Sequence, residues 1–280
     1  MRISKSSSNR CACRQAAERC GLSVTYRACV GDFDDSILTE TAHRPWPMPH
    51  RPWLMTQTWN DLLFAHWPVD VRVLRERIPE AFEIDRFDGQ AWIGVVPFHM
   101  TNVSARFVPP VPGVAAFPEL NVRTYVRIGD KHGVFFFSLD AGSSLAVATA
   151  RTLLNLPYYT ADMDVTTEGG RIGYRSRRAQ PAAEFVAAYH GNGDARRPEP
   201  GTLEYFLTER YCLYAVNRAG RAYRLEIHHP PWLLESAEAS IAVNTMTTPI
   251  GIRLPPTAPL LHFSQRQDAV CWAPSWVPGF

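Results

Sequence analysis

Lysine is nearly missing from this chain of 280 residues: Lys5 and Lys131 are its only two, and arginine carries almost all the positive charge. Chemistry that needs an amine nucleophile therefore has few candidates, because arginine stays protonated. No apolar run approaches the roughly 20 residues that span a bilayer; Val134 to Leu139 is typical of the longest and has strand length. No membrane-spanning helix is expected. The formal net charge of +2 and the scattered arginines leave no footprint for nucleic acid. There is no G-x-x-x-x-G-K-[ST] loop, no G-x-G-x-x-G fingerprint and no G-x-S-x-G elbow. H-E-x-x-H and comparable ligand spacings are absent too, so neither a metal nor a cofactor is expected, although the fold could bring His66, His99 and His228 together. Cysteine is sparse in the body of the chain. Cys11, Cys13, Cys20 and Cys29 crowd the start without paired C-x-x-C spacing, while Cys212 and Cys271 sit in apolar surroundings and read as buried thiols. Nothing suggests a disulfide scaffold, so a cytoplasmic protein is expected.

What is present is a soluble globular composition, 46% apolar and 20% charged. Residues 1–54 open Ser/Arg/Cys-rich and end in "HRPWPMPHRPW", where prolines block helix and ladder alike. They are expected to form a disordered or loosely ordered extension, with a single folded domain over 55–280. Within that domain "PVDVRVLRERIPEAF" reads as a short helix with Pro68 in its first turn, and "AWIGVVPF" as a strand ending near Pro97. Residues 119–128 and 134–140 form a hairpin around "GDKHG". "SSLAVATARTLLN" is the clearest helix, with Ser143 or Ser144 as cap and Pro157 as barrier. Further strands are expected at 163–168, 171–178, 204–214, 221–228 and 239–247, with "HGNGDARRPEPG" a surface loop. Many strands and two or three short helices imply an α+β class built on a mainly antiparallel, barrel-like sheet.

The functional signal lies in "FPELNVRTYVRIG". Glu119, Asn121, Arg123, Tyr125 and Arg127 share one side of an extended chain, and Leu120, Val122, Thr124, Val126 and Ile128 the other. Its partner "VFFFSLD" is apolar on both sides, as where both faces are covered. Pairing Ile128 with Val134 sets Tyr125 opposite Phe137; a slip of one sets it opposite Phe136. Either register puts phenylalanine on the polar face, which suits a pocket wall; a salt-bridged surface strand is the competing reading. Arg151 interrupts the Val147/Leu154 stripe of its helix. It either snorkels, pairs with Glu119 or Asp140, or holds an anionic ligand. Glu209 and Arg210 read as a buried structural pair. Arg171, Arg175, Arg177 and Arg178 read as a solvated strand edge.

"HW" at 66–67, "FDGQAWIGVVPFHM", "FPELNVRTYV", "GVFFFSLDA", "ARTLLNLPYY", "LTERYCLYA" and "HHPPWLL" together resemble the YqjF-like bacterial proteins, from about Thr56 to near Trp272. That family is similar in fold to acetoacetate decarboxylase. The resemblance implies a cone-shaped antiparallel barrel around an apolar cavity, often in a homo-oligomer. In the decarboxylase a helical lysine forms a Schiff base with a β-keto acid and a strand glutamate positions the substrate. Glu119 resembles that glutamate, but the helix 143–155 has no lysine and Lys131 falls in the hairpin turn. A Schiff-base decarboxylase is therefore not expected. The site would place Glu119, Arg123 and Arg151 beside Phe117, Trp92, Tyr125 and Tyr158. It would bind a small molecule bearing a carboxylate, with an arginine clamping the anion and Glu119 orienting it or moving a proton. A non-catalytic binder, or a barrel whose charges are architectural, stays open beside the enzyme.

Overall fold

Residues 117–128 form a strand with both faces covered, and that double burial explains how the molecule is layered. The computed structural model describes residues 31–108 and 114–277. Its elements begin with β1 (Met55–Val69), α1 (Val71–Arg75), β2 (Glu83–Ile84), β3 (Ala91–Ala105), β4 (Phe117–Ile128) and β5 (Lys131–Ala141). They continue with α2 (Ser144–Leu153), β6 (Tyr158–Thr160), β7 (Asp162–Glu168), β8 (Arg171–Arg178) and β9 (Ala183–Arg196). The last are α3 (Leu203–Thr208), β10 (Cys212–Val216), β11 (Ala222–His228), β12 (Leu234–Asn244), β13 (Leu260–Cys271) and β14 (Ser275–Trp276).

The strands β11, β10, β5, β4, β3, β1 and β13 neighbour one another in that order. Pairing of Ile227 with Cys271 and His228 with Val270 joins β11 to β13 and returns the path on itself. The result is the barrel-like α+β architecture expected from the strand pattern. Beyond β13, the strands β12, β9, β8 and β7 continue as a wing. The wing folds its apolar side, including Ile172, Tyr174, Phe185 and Tyr189, onto Leu63, Val95, Leu120 and Val122 outside the ring. A second apolar cluster, with Leu62, Val96, Phe98, Leu139, Leu213 and Ile227, fills the lumen. So β4 sends Leu120 and Val122 outward under the wing and Glu119 and Asn121 inward. No face of its centre meets water.

Several local expectations are corrected. The β4–β5 hairpin turns in two residues, with Gly129 at φ 56°, and pairs Ile128 with Lys131 and Tyr125 with Val134. "GDKHG" is therefore mostly strand, because a glycine-led two-residue turn matches strand twist better than a longer loop. Pro68 ends inside β1, and Asp70 caps α1 by accepting from the Arg72 amide. The third strand runs on through Pro97. It is tolerated there because β1 bulges between Asn60 and Ala65, where Asp61 takes φ 52°, and the ladder beside Pro97 is already interrupted. The stretch 204–214 is not one strand: Thr202 caps α3, and β10 starts at Cys212. The "HGNGDAR" segment is strand, the end of β9. β8 is an interior strand, with Arg171, Arg175 and Arg177 exposed and Arg178 buried.

The segment expected to form a loose extension, residues 1–54, divides in two. Residues 1–30, with their four cysteines, lie outside the described residues. Residues 31–54 pack on the barrel. Ile37 joins Val270 and Trp272 in a small core. Arg44 donates to the Ile227 carbonyl at 2.7 Å and pairs with Glu226 at 3.3 Å, and the Trp46 indole donates to the same Glu226 at 2.8 Å. Trp46→Phe removes that hydrogen bond and part of a buried ring. It is expected to cost about 1–2 kcal/mol in urea denaturation; an unchanged midpoint would mean the segment is not clamped there.

Candidate functional site

β4 runs along the lumen with Glu119, Asn121 and Arg123 at alternate positions, and Asn121 and Arg123 each keep a buried polar atom without a partner among the described residues. The Tyr158 hydroxyl donates to Glu119 Oε2 at 3.0 Å, and no bond to Oε1 is formed among the described residues. Asn121 Oδ1 is buried without a partner. Arg123 donates through Nη2 to the Leu207 carbonyl at 3.2 Å, while its Nε is unpaired. Its guanidinium lies over the Phe64 ring at 5.2 Å and has no carboxylate partner among the described residues. At about 6.6 Å per pair of residues, these three groups form a polar row along a hydrocarbon wall.

They line a cavity of about 100 Å³ with Trp59, Phe98, Leu156, Tyr158, Arg210 and Trp232 among its other walls. A void of that size takes a molecule of a few heavy atoms; an apolar cavity of about 150 Å³ holds benzene. Burial pushes the Glu119 carboxyl up to about 8, with Asp140 adding to the rise and the Tyr158 hydrogen bond opposing it. Glu119 is thus a neutral acid near pH 7. Asp140 itself, driven up to about 6 by burial, is held by Arg178 at 2.5 Å.

Tyr125 stands just behind the cavity. Its hydroxyl donates to the Leu207 carbonyl at 2.8 Å and meets His66 Nε2 at 2.6 Å, which assigns the proton on His66 to Nε2. Burial, helped by Arg123, holds His66 well below its usual pKa, so it stays neutral. The same Leu207 carbonyl takes both Tyr125 and Arg123, so the end of α3 fixes the cationic end of the site.

Not every residue singled out from sequence is brought to this cavity. Glu119, Arg123 and Tyr158 line it. Phe117 belongs to the lumen cluster and Trp92 packs against it, but neither lines the cavity. Arg151 is exposed and lines a separate depression with Arg77 and Arg218, so it pairs with neither Glu119 nor Asp140. Glu209 and Arg210 are not a pair. Arg210 reaches Asp85 at 2.6 Å, whereas Glu209 takes the Trp232 amide at 2.8 Å and the Tyr211 hydroxyl. His66 and His228 serve different networks, the latter meeting the Ile37 carbonyl at 2.8 Å.

Sequence reading missed Arg210, His229 and Trp232 as cavity walls. His229 stacks on Tyr211 at 4.7 Å, and burial lowers its pKa to about 4. Cys271 also lines the cavity, its thiol pushed up to about 12 by burial and therefore no nucleophile near neutrality. No lysine among the described residues lines it: Lys131 opens β5, pairs with Glu226 at 3.7 Å and lies over the Trp46 ring.

An incompletely regular antiparallel ring, a lumen with a buried carboxyl, and a sheet folded over the outside define an acetoacetate-decarboxylase-like fold. Among similar solved structures is the enduracididine biosynthesis enzyme MppR complexed with the condensation product of pyruvate and imidazole 4-carboxaldehyde. Its TM-score is 0.58 at 9% identity, covering 79% of this chain and 88% of that one. An acetoacetate decarboxylase gives 0.56 at 12%, covering 87% and 98%. The acetoacetate-decarboxylase-like enzyme from Sphingomonas wittichii RW1 gives 0.57 at 11%, covering 85% and 98%. At such identities the likeness concerns fold alone. The particular family follows from sequence: residues 56–268 match DUF2071, described as an uncharacterized conserved protein (COG2071), and the chain belongs to that family. It is 50% identical over 226 residues to uncharacterized protein YqjF of Bacillus subtilis (strain 168), covering 80% of this chain and 93% of that relative. The packed residues 31–54 precede the matched segment.

Proposed function

We propose that the lumen binds a small organic acid, its carboxylate on Arg123 and its second polar group toward Glu119 and Tyr158. The observation that carries this reading is the Arg123 guanidinium, partly buried beside a cavity, with one carbonyl partner and no carboxylate among the described residues. An unpaired cation in low dielectric is costly, and a ligand oxyanion would relieve it. Glu119, neutral near pH 7, is suited to donate a proton to a keto or hydroxyl oxygen of that acid, and Asn121 to accept from or orient it. The chemistry would proceed without a Schiff base, since the described lining offers two arginines and no amine. The enduracididine biosynthesis enzyme MppR complexed with pyruvate adds a precedent for a small keto acid in this fold. Two described thiols, Cys212 and Cys271, are free, in keeping with a cytoplasmic protein.

Pyruvate is expected to raise the melting temperature and its methyl ester is not. Arg123→Met should weaken pyruvate binding by roughly tenfold or more, the worth of a charged hydrogen bond. Equal shifts from acid and ester, or an undiminished shift in the variant, would overturn the proposal. A reaction, as opposed to binding alone, would show as turnover lost in Glu119→Gln while pyruvate affinity persists.

A further inference from the structure

The ring has a gap on the side of β5 that faces away from β4. β10 pairs with β5 at Val134 and Phe135, and β6 pairs with it at Leu139 to Ala141. Phe136, Phe137 and Ser138 lie between these two short ladders and join neither. Asn155, at φ 49°, spans the gap by donating to the Val216 carbonyl at 2.9 Å.

Over the gap lies a bowl of about 390 Å³. Phe135, Phe137 and Tyr159, each half-buried, give it an aromatic floor, and Arg77, Arg151 and Arg218 stand at its rim. Among the described residues no aspartate or glutamate lines it. Arg77 is engaged, by Glu76 at 2.8 Å and the Ile250 carbonyl at 2.7 Å. Arg151 and Arg218 have no carboxylate partner among the described residues. The bowl and the lumen cavity are different spaces, separated by a shared wall of Phe136, Leu156 and Tyr158. Glu119 and Arg123 belong to the lumen side only.

Isolated surface arginines mean little, but this arrangement has one sign of charge above a concave aromatic floor. Like charges held around a recess focus a positive potential into it. Guanidinium groups match planar oxyanions, and an aromatic floor takes the flat side of an apolar body. We propose that the bowl is a second ligand site, for a carboxylate, sulfonate or phosphate carried on a flat apolar body. It does not depend on the lumen being a binding site.

Anilinonaphthalene sulfonate has this chemistry and reports its own binding by fluorescence, so it can be titrated onto the full chain. Saturable binding is expected, and the double variant Arg151→Glu, Arg218→Glu should weaken it at least about tenfold through lost charged hydrogen bonds. Both side chains are exposed, so its melting temperature should match the parent's. Benzoate should displace the probe and benzyl alcohol should not. Arg123→Met should leave probe binding intact, which separates failure of this site from failure of the lumen reading. Undiminished binding in the double variant, loss in Arg123→Met instead, or equal displacement by benzyl alcohol would each overturn the proposal.

Discussion

Arg178→Met is expected to lose about 3–5 kcal/mol of stability at pH 8, the usual cost of stranding a buried charge, and distinctly less at pH 5. Arg178 on β8 and Asp140 on β5 tie the wing to the ring, and both side chains are inaccessible. Asp140 keeps one oxygen, Oδ2, without a partner among the described residues, where Arg178 alone compensates its charge. Its carboxyl titrates at about 6 in the fold against 3.8 in the open chain, driven up by burial in spite of Arg178. A raised carboxyl destabilises the fold as pH climbs from 3.8 through 6, because the unfolded chain ionises first. Without Arg178 the carboxyl would rise further and the penalty would extend to higher pH. Below pH 5 the carboxyl is neutral in both proteins, and the variant loses a hydrogen bond to an uncharged Asp140, the Pro181 carbonyl bond and the stacking on Tyr159. Urea denaturation at the two pH values measures the difference. A deficit independent of pH would mean that Asp140 is not ionised in the parent protein.

The period-two pattern over Glu119–Arg127 was readable because a strand sends alternate residues to opposite faces whatever surrounds it. The apolar partner strand left a pocket wall and a salt-bridged surface strand both open, and the lumen and wing clusters show that both faces are covered. Register was not readable. Two turns compatible with "GDKHG" differ by residues that shift every pair, and only the backbone at Gly129 decides between them. The run "LEYFLTERYCLY" carries aromatics at both helical and strand spacing, so α3 followed by β10 resembled one strand. Arg151 misled because a stripe on a helix tells which residues share a face, not what that face meets. Arg210 and Trp232 reach the cavity through contacts some 80 or more residues distant in sequence from β4, and no local signal announces them. Arg44 meets Glu226 across 182 residues, which is why the proline-rich segment before Met55 looked detached.

Glu119→Gln is expected to make the protein more stable at high pH and to abolish any turnover. The parent carboxyl titrates at about 8 in the fold and near 4.5 in the open chain, chiefly because burial disfavours its charge. Its contribution is therefore complete below pH 4.5 and lost progressively as pH rises to about 8; above that the penalty is on the order of 5 kcal/mol. Glutamine cannot ionise and still accepts the Tyr158 hydrogen bond, so the advantage of the variant should grow from pH 4.5 to 8 and then level off. Chemistry should move the other way. A neutral acid at the end of a row that begins with a guanidinium can protonate an oxygen of an acid anchored on Arg123, and glutamine can orient that oxygen but not protonate it. Activity of the parent should decline above pH 8, where Glu119 ionises and also repels an anionic ligand. Pyruvate affinity in the variant should instead be level across that range. If urea midpoints of the two proteins run parallel from pH 5 to 9, the carboxyl is hydrated, and the dry lumen on which the row of Glu119, Asn121 and Arg123 depends is wrong.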